Sequence, residues 1–247
     1  MWIDREACTG CGKCFPYCPV EAILWHKKDK EEGSTKPYAE IVRDECVECS
    51  VCFKAKVCPT DAIRNEDLEW PRVLRRAFSD PFHEHKGTNV PGRGTEEMKT
   101  NEVTGRFRDG YIGVGLEFGR PGVGVRLGET EKALKRFVQM GLKLEPLNPL
   151  TQLIENPETG ELKKDVLNEK VLSAIVEFIA PFERAQEIFE AIKEIGSEIH
   201  TVFSLDLISK VSPDGTIPVV QGAEKAGIRC SVNGKVNLGL GRPLFHK

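Results

Sequence analysis

Eight of the nine cysteines fall between Cys8 and Cys58, at spacings that belong to ligands rather than to core residues. Cys8, Cys11, Cys14 and Cys18 read C-x2-C-x2-C-x3-C and are closed by Pro19. Cys46, Cys49, Cys52 and Cys58 repeat the triplet, with five residues before the last cysteine and Pro59 behind it. Thiolates are soft donors that select zinc, copper or iron–sulfur clusters. A zinc ribbon is built from C-x2-C pairs, so triplets with a trailing C-P argue against it. Cys230 stands apart in a predicted strand and reads as a small buried hydrophobe, not a nucleophile.

An internal repeat underlies the spacing. Ile3–Leu24 reads IDREACTGCGKCFPYCPVEAIL and Val42–Arg64 reads VRDECVECSVCFKAKVCPTDAIR. Both have an acidic lead-in, the triplet, a C-P, and an acidic residue followed by Ala-Ile. On these motifs residues 1–69 resemble the bacterial two-[4Fe–4S] ferredoxin family, in which the fourth cysteine of each motif ligates the cluster of the other. The resemblance implies one cluster on Cys8, Cys11, Cys14 and Cys58 and a second on Cys46, Cys49, Cys52 and Cys18. It also implies low-potential electron transfer as the function. FKAKV, between Cys52 and Cys58, is two residues longer than the usual spacing, and the charged connection HKKDKEEGSTKPYAE is also long. Neither removes a ligand.

Other residues of the repeat have expected supporting roles. Gly10, Gly12 and Ser50 should let backbone amides approach sulfur closely. Pro19 and Pro59 should open short helical turns, with Glu21 and Asp61 complementing their dipoles. Ile3, Ile23, Ile41 and Ile63 should form an apolar floor.

The elements that must position this unit come after it in the chain. Residues 70–110 are rich in Pro, Gly and Arg and read as an irregular linker or docking loop. Arg93, Arg106 and Arg108 are candidates for pairing with carboxylates of a partner or an anionic ligand, and His83 and His85 are too few for a metal site. Residues 111–247 read as a second domain. Tyr111–Phe118 alternates as a strand, Val123–Leu127 comes next as another, and a helix covers Glu129–Met140. Leu172–Ala180 is an apolar strand; a helix then runs from Pro181 and stops at Gly196, before a strand at Ile199–Ile208. Asn233-Gly234 marks a terminal hairpin of Ile228–Val232 and Lys235–Leu240. The expected fold class is α+β: a two-cluster ferredoxin domain, then a ferredoxin-like α/β plait with a C-terminal β-hairpin.

Bulk properties narrow the function. A net charge of −3 with 30% charged residues offers no basic field for nucleic acid or anionic lipid. No run approaches the ~18 apolar residues of a membrane span. The start, MWIDREACTG, has no signal-peptide character, so a cytoplasmic location is expected. The second domain has no Ser–His–Asp set, P-loop or H-E-x-x-H, and His200 and His246 lack identifiable partners. The expectation is an electron-transfer protein or subunit serving a larger anaerobic oxidoreductase. The alternative is a redox regulator or enzyme whose second domain binds a small anion, its arginines in 91–126 converging on one pocket.

Overall fold

The structure, a computed structural model, describes residues 1–27, 36–86, 89–91, 109–120 and 122–231. The first region contains β1 (Trp2–Ile3), β2 (Ile23–His26), β3 (Tyr38–Ile41), the single-turn helix α1 (Val51–Lys54) and β4 (Ile63–Arg64). β1 pairs antiparallel with β4, setting Ile3 opposite Ile63, and β2 pairs with β3, setting Ile23 opposite Ile41. Two-stranded ribbons this short are not stable alone. Each is extended by a matching hydrogen bond between the copies: the Asp4 amide donates to the Ala62 carbonyl beside β1–β4 and the Val42 amide to the Ala22 carbonyl beside β2–β3, each at 2.8 Å. The isoleucines pack with Cys8, Cys14 and Cys52 into a core of their own.

The segment read as irregular contains α2 (Val73–Ser79), followed by a small ribbon of β5 (Glu84–His85) and β6 (Val90–Pro91). Leu74, Ala77 and Phe78 lie at helical spacing and bury one side of α2 in the second core. That core belongs to the later elements: β7 (Tyr111–Phe118), β8 (Val125–Arg126), α3 (Leu127–Gln139), β9 (Ile154–Asn156), β10 (Glu161–Leu162), β11 (Lys170–Val171), β12 (Ala174–Pro181), α4 (Ala185–Glu198), β13 (Phe203–Ile208) and α5 (Pro218–Lys225).

β7 is the centre of a three-stranded antiparallel sheet in the order β12–β7–β13, with Phe118 opposite both Ala174 and Phe203. β12 and β13 therefore run parallel on either side of β7, and α4 makes the crossover between them. Ile112, Val114, Leu116 and Phe118 meet α3 and α4 in the core, where the rings of Phe137 and Phe178 lie 4.7 Å apart. The other side of β7 is covered too: Gly113, Gly115 and Glu117 are buried, the Glu117 carboxylate accepting from Arg120 and Ser204.

This is an α+β arrangement with differences from expectation. A plait needs a fourth strand, but among the described residues β8 is only two residues long and pairs with β11 instead. Leu127, expected to end that strand, already begins α3 and is fully buried. α4 passes through Gly196 to Glu198, carried by the burial of Ile192 and Ile195. Residues 228–231 form no strand, so Cys230 lies in irregular chain packed against the second core. The rest of the expected hairpin, from Val232, lies outside the described residues. Among those described, no helix is long and apolar enough to cross a membrane.

Candidate metal centres

The eight clustered cysteines line two cavities. Cys8, Cys11, Cys14 and Cys58 surround one, with Ile3 and Ile63 on its wall. Cys18, Cys46, Cys49 and Cys52 surround the other, with Ile23 and Ile41 in the corresponding place. Among the described residues no three His, Cys, Asp or Glu side chains converge closely enough to hold one metal ion. The thiols stand around spaces rather than points, which suits a multi-atom cluster better than zinc.

Backbone conformation creates these loops. Gly10 and Gly12 of the first triplet have φ of 67° and 72°, and their counterparts Glu48 and Ser50 have 58° and 61°. Gly10 has a second constraint: a Cβ there would meet the Pro37 carbonyl oxygen at 2.7 Å. Glu21 and Asp61 do not open helical turns as expected; both are left-handed, with φ of 53° and 49°. The chain turns at each so that the next amide reaches sulfur, Ala22 N–H to Cys18 Sγ and Ala62 N–H to Cys58 Sγ, both at 3.1 Å. Cys8 Sγ accepts from Gly10 and Ala39 at 3.4 Å. Such N–H···S bonds tune the redox potential of a bound cluster.

The thiols sit in unequal environments. Burial pushes Cys49 up to about 11 and Cys52 up to about 12 in the second cavity, and Cys14 up to about 11 in the first. At Cys58 burial acts in the same direction but is outweighed by hydrogen bonds from the Thr60 and Ala62 amides, and the thiol falls below its usual range. Besides burial, two carboxylates act on thiols of the second cavity, Glu48 on Cys46 and Asp80 on Cys49. Glu48, with no exposed surface, accepts from Arg72 at 2.6 Å and from the Met1 amino group at 2.9 Å. Asp80, just past α2, receives the Lys54 ammonium at 2.6 and 2.8 Å and the Phe82 amide at 3.0 Å. Neither carboxylate was singled out from sequence. The signal available for Glu48 was its alignment with Gly10 in the repeat.

The second region grips the same end. Arg126 pairs with Asp44 at 2.8 Å and with Glu45 at 2.9 Å, and Lys170 also pairs with Glu45. Arg126, Glu129, Lys170, His200 and Thr201 line an open groove beside this contact, but its two permanent cations are already matched by Asp44 and Glu45. Arg120 is paired with Glu117 at 3.0 Å. Arg93, Arg106, Arg108 and His246 lie outside the described residues. His85 is not solvated, as a histidine pair without further ligands is expected to be: it is buried edge-on against Phe78, and burial lowers its pKa.

A family model of the 4Fe-4S dicluster domain matches residues 1–65. An uncharacterized ferredoxin of Methanocaldococcus jannaschii is 44% identical over 61 residues, which are 25% of this chain and 70% of that protein. The chain belongs to the dicluster ferredoxin family. Its N-terminal region is an iron–sulfur, electron-transport domain. One subunit of the H2:CoB–CoM heterodisulfide, ferredoxin reductase of Methanothermobacter marburgensis is 34% identical over 76 residues, 26% of this chain but 11% of that relative. An iron–sulfur subunit of the CoB–CoM heterodisulfide reductase of Methanocaldococcus jannaschii is 35% identical over 74 residues, again 26% of this chain and 11% of the relative. No solved structure matches the chain significantly.

Proposed function

We propose that residues 1–69 hold two [4Fe–4S] clusters with crossed ligands and pass single electrons to or from a larger anaerobic oxidoreductase. One cluster is held by Cys8, Cys11, Cys14 and Cys58, the other by Cys18, Cys46, Cys49 and Cys52. The observation that carries this reading is that each cavity is lined by three thiols of one repeat and the last thiol of the other. A bound cluster of this kind supplies reversible one-electron transfer. The chain's own work is to present the eight thiols, direct the amides of Ala22, Ala62, Gly10 and Ala39 at sulfur, and hold the two sites side by side.

The matching segments in heterodisulfide reductase subunits support a redox complex as the setting. Residues 111–247, built around the three-stranded β12–β7–β13 sheet, then act as the docking domain, with 70–110 connecting the two. A small-anion site gains no support from the groove, because Arg126 and Lys170 are already paired there.

The test combines iron analysis with labelling. Anaerobically purified protein should contain about eight irons per chain, and fewer removes the two-cluster reading. Cys18→Ala should then release Cys46, Cys49 and Cys52 to alkylation while Cys8, Cys11 and Cys14 stay protected. Labelling of Cys8, Cys11 and Cys14 instead would show uncrossed ligation.

A further inference from the structure

The lead-ins to the two triplets start alike and are then held by different means. In each, the first cysteine's amide reaches back four residues, Cys8 N–H to the Asp4 carbonyl at 2.9 Å and Cys46 N–H to the Val42 carbonyl at 3.0 Å. Asp4 also closes its own turn: its carboxylate accepts the Glu6 amide at 3.0 Å and the Ala7 amide at 3.3 Å. The residue in Asp4's place in the second copy is Val42, whose side chain has no acceptor to offer. There the loop is held from outside. Arg75 of α2, 3% exposed, points Nη1 into the turn and donates to the carbonyls of Arg43, Asp44 and Cys46 at 3.2, 2.7 and 2.9 Å. Its Nε is fixed on Glu169 of the second region at 2.5 Å.

We propose that Arg75 is a positioning residue for the second cluster, doing for the Cys46 loop what Asp4 does for the Cys8 loop, and that Glu169 makes that cluster's potential answer to the C-terminal region. The inference rests on the two-cluster reading above. A planar guanidinium with several fixed donors can gather converging carbonyls, which a lysine ammonium cannot do in the same geometry. A buried cation against the backbone of a ligand cysteine favours the more negative, reduced state of a cluster, and the surrounding low dielectric strengthens that effect. Glu169 opposes it by partly neutralising the charge. Among the described residues, the first lead-in has no such hydrogen bond to the C-terminal region.

The experiment is a potentiometric titration followed by EPR on the full anaerobic chain, with Arg75→Gln, Arg75→Lys and Glu169→Gln. Eight irons should remain in each variant. Arg75→Gln should move one of the two potentials to more negative values and leave the other in place; the moving one should belong to the cluster that survives Cys58→Ala. Arg75→Lys, which keeps the charge and loses the fork, should move that potential less but change its EPR g-values. Glu169→Gln should shift it in the opposite, positive direction. A residue that merely stabilises the fold would lower the melting temperature and leave both potentials alone. Equal movement of both potentials, or no movement with iron retained, overturns the proposal. If Arg75→Gln cannot hold iron, silence of both Arg75→Lys and Glu169→Gln overturns it. A wild-type chain with fewer than about eight irons would defeat the underlying two-cluster reading first, before any variant is compared.

Discussion

Thr9 and Cys11 of the first triplet face solvent, whereas their counterparts Val47 and Cys49 are buried. The two loops share spacing and backbone conformation, but the second is also met by the chain beyond residue 69: Arg72 closes on Glu48, Arg75 on the Cys46 loop, and Asp80 on Lys54. The same contrast explains how a left-handed position can be glycine in one copy and glutamate in the other. At Gly10 the Pro37 carbonyl leaves no room for a side chain. At Glu48 the side chain leads to the half-buried Arg72 and the buried Met1 amino group, and that pairing offsets a backbone cost of order 1–3 kcal/mol. A duplicated motif has thus become one site with an exposed ligand, Cys11, and one whose four ligands are all buried or half-buried.

Three measurements would break or sharpen this contrast. The largest effect should be in thiol reactivity after a chelator has stripped the iron. Thiolate is the reactive form, so Cys58, held below its usual range, should alkylate at pH 8 roughly ten- to a hundredfold faster than Cys52, pushed up to about 12, whose scarcer thiolate is partly offset by its greater nucleophilicity. Raising the pH through 9 toward 12 should bring Cys49 and Cys52 into reach, and equal rates at pH 8 would remove the chemical difference between the sites. Next comes Gly10→Ala. A Cβ at 2.7 Å from backbone oxygen, at φ of 67°, should destabilise the domain by about 2 kcal/mol or more, seen as a lower melting temperature with iron lost from the first site. A neutral outcome would mean that the chain at Pro37 gives way easily. The smallest effect belongs to Arg126→Ala. Its partner Asp44 is largely exposed, so denaturant unfolding should show a loss below about 1 kcal/mol, shrinking further with salt. A much larger loss would shift the main inter-region tie from Arg75 to Arg126.

The cysteine pattern was legible because ligand spacing is a local property written in the chain. The isoleucine floor was legible for the same reason, since each partner sits at a fixed offset from its triplet. β7, β12, α3 and α4 announced themselves through apolar periodicity. The failures share a cause in tertiary structure. α2 was hidden by the arginines between its apolar positions, and Arg75 points at a loop about thirty residues earlier in the chain. Glu21 and Asp61 looked like helix-start acids, yet a sulfur acceptor behind them draws the next amide inward and turns the backbone left-handed. β8 was overestimated because Leu127 suits strand and helix alike, and only the packing of α3 decides between them.

The crossed cavities also set a timetable for biosynthesis. Neither can close while only the first repeat exists: one waits for Cys52 and the other for Cys58, and the bond from Asp4 waits for Ala62. Cys58 is made 44 residues after Cys14. At ribosomal rates of about 5–20 residues per second, Cys8, Cys11 and Cys14 remain bare for at least roughly 2–9 s before their own cavity is complete. During that interval they are open to oxidation and to capture by stray metal. Iron and sulfide therefore have to arrive after the whole repeat has been translated, in surroundings reducing enough to keep the early cysteines free until then.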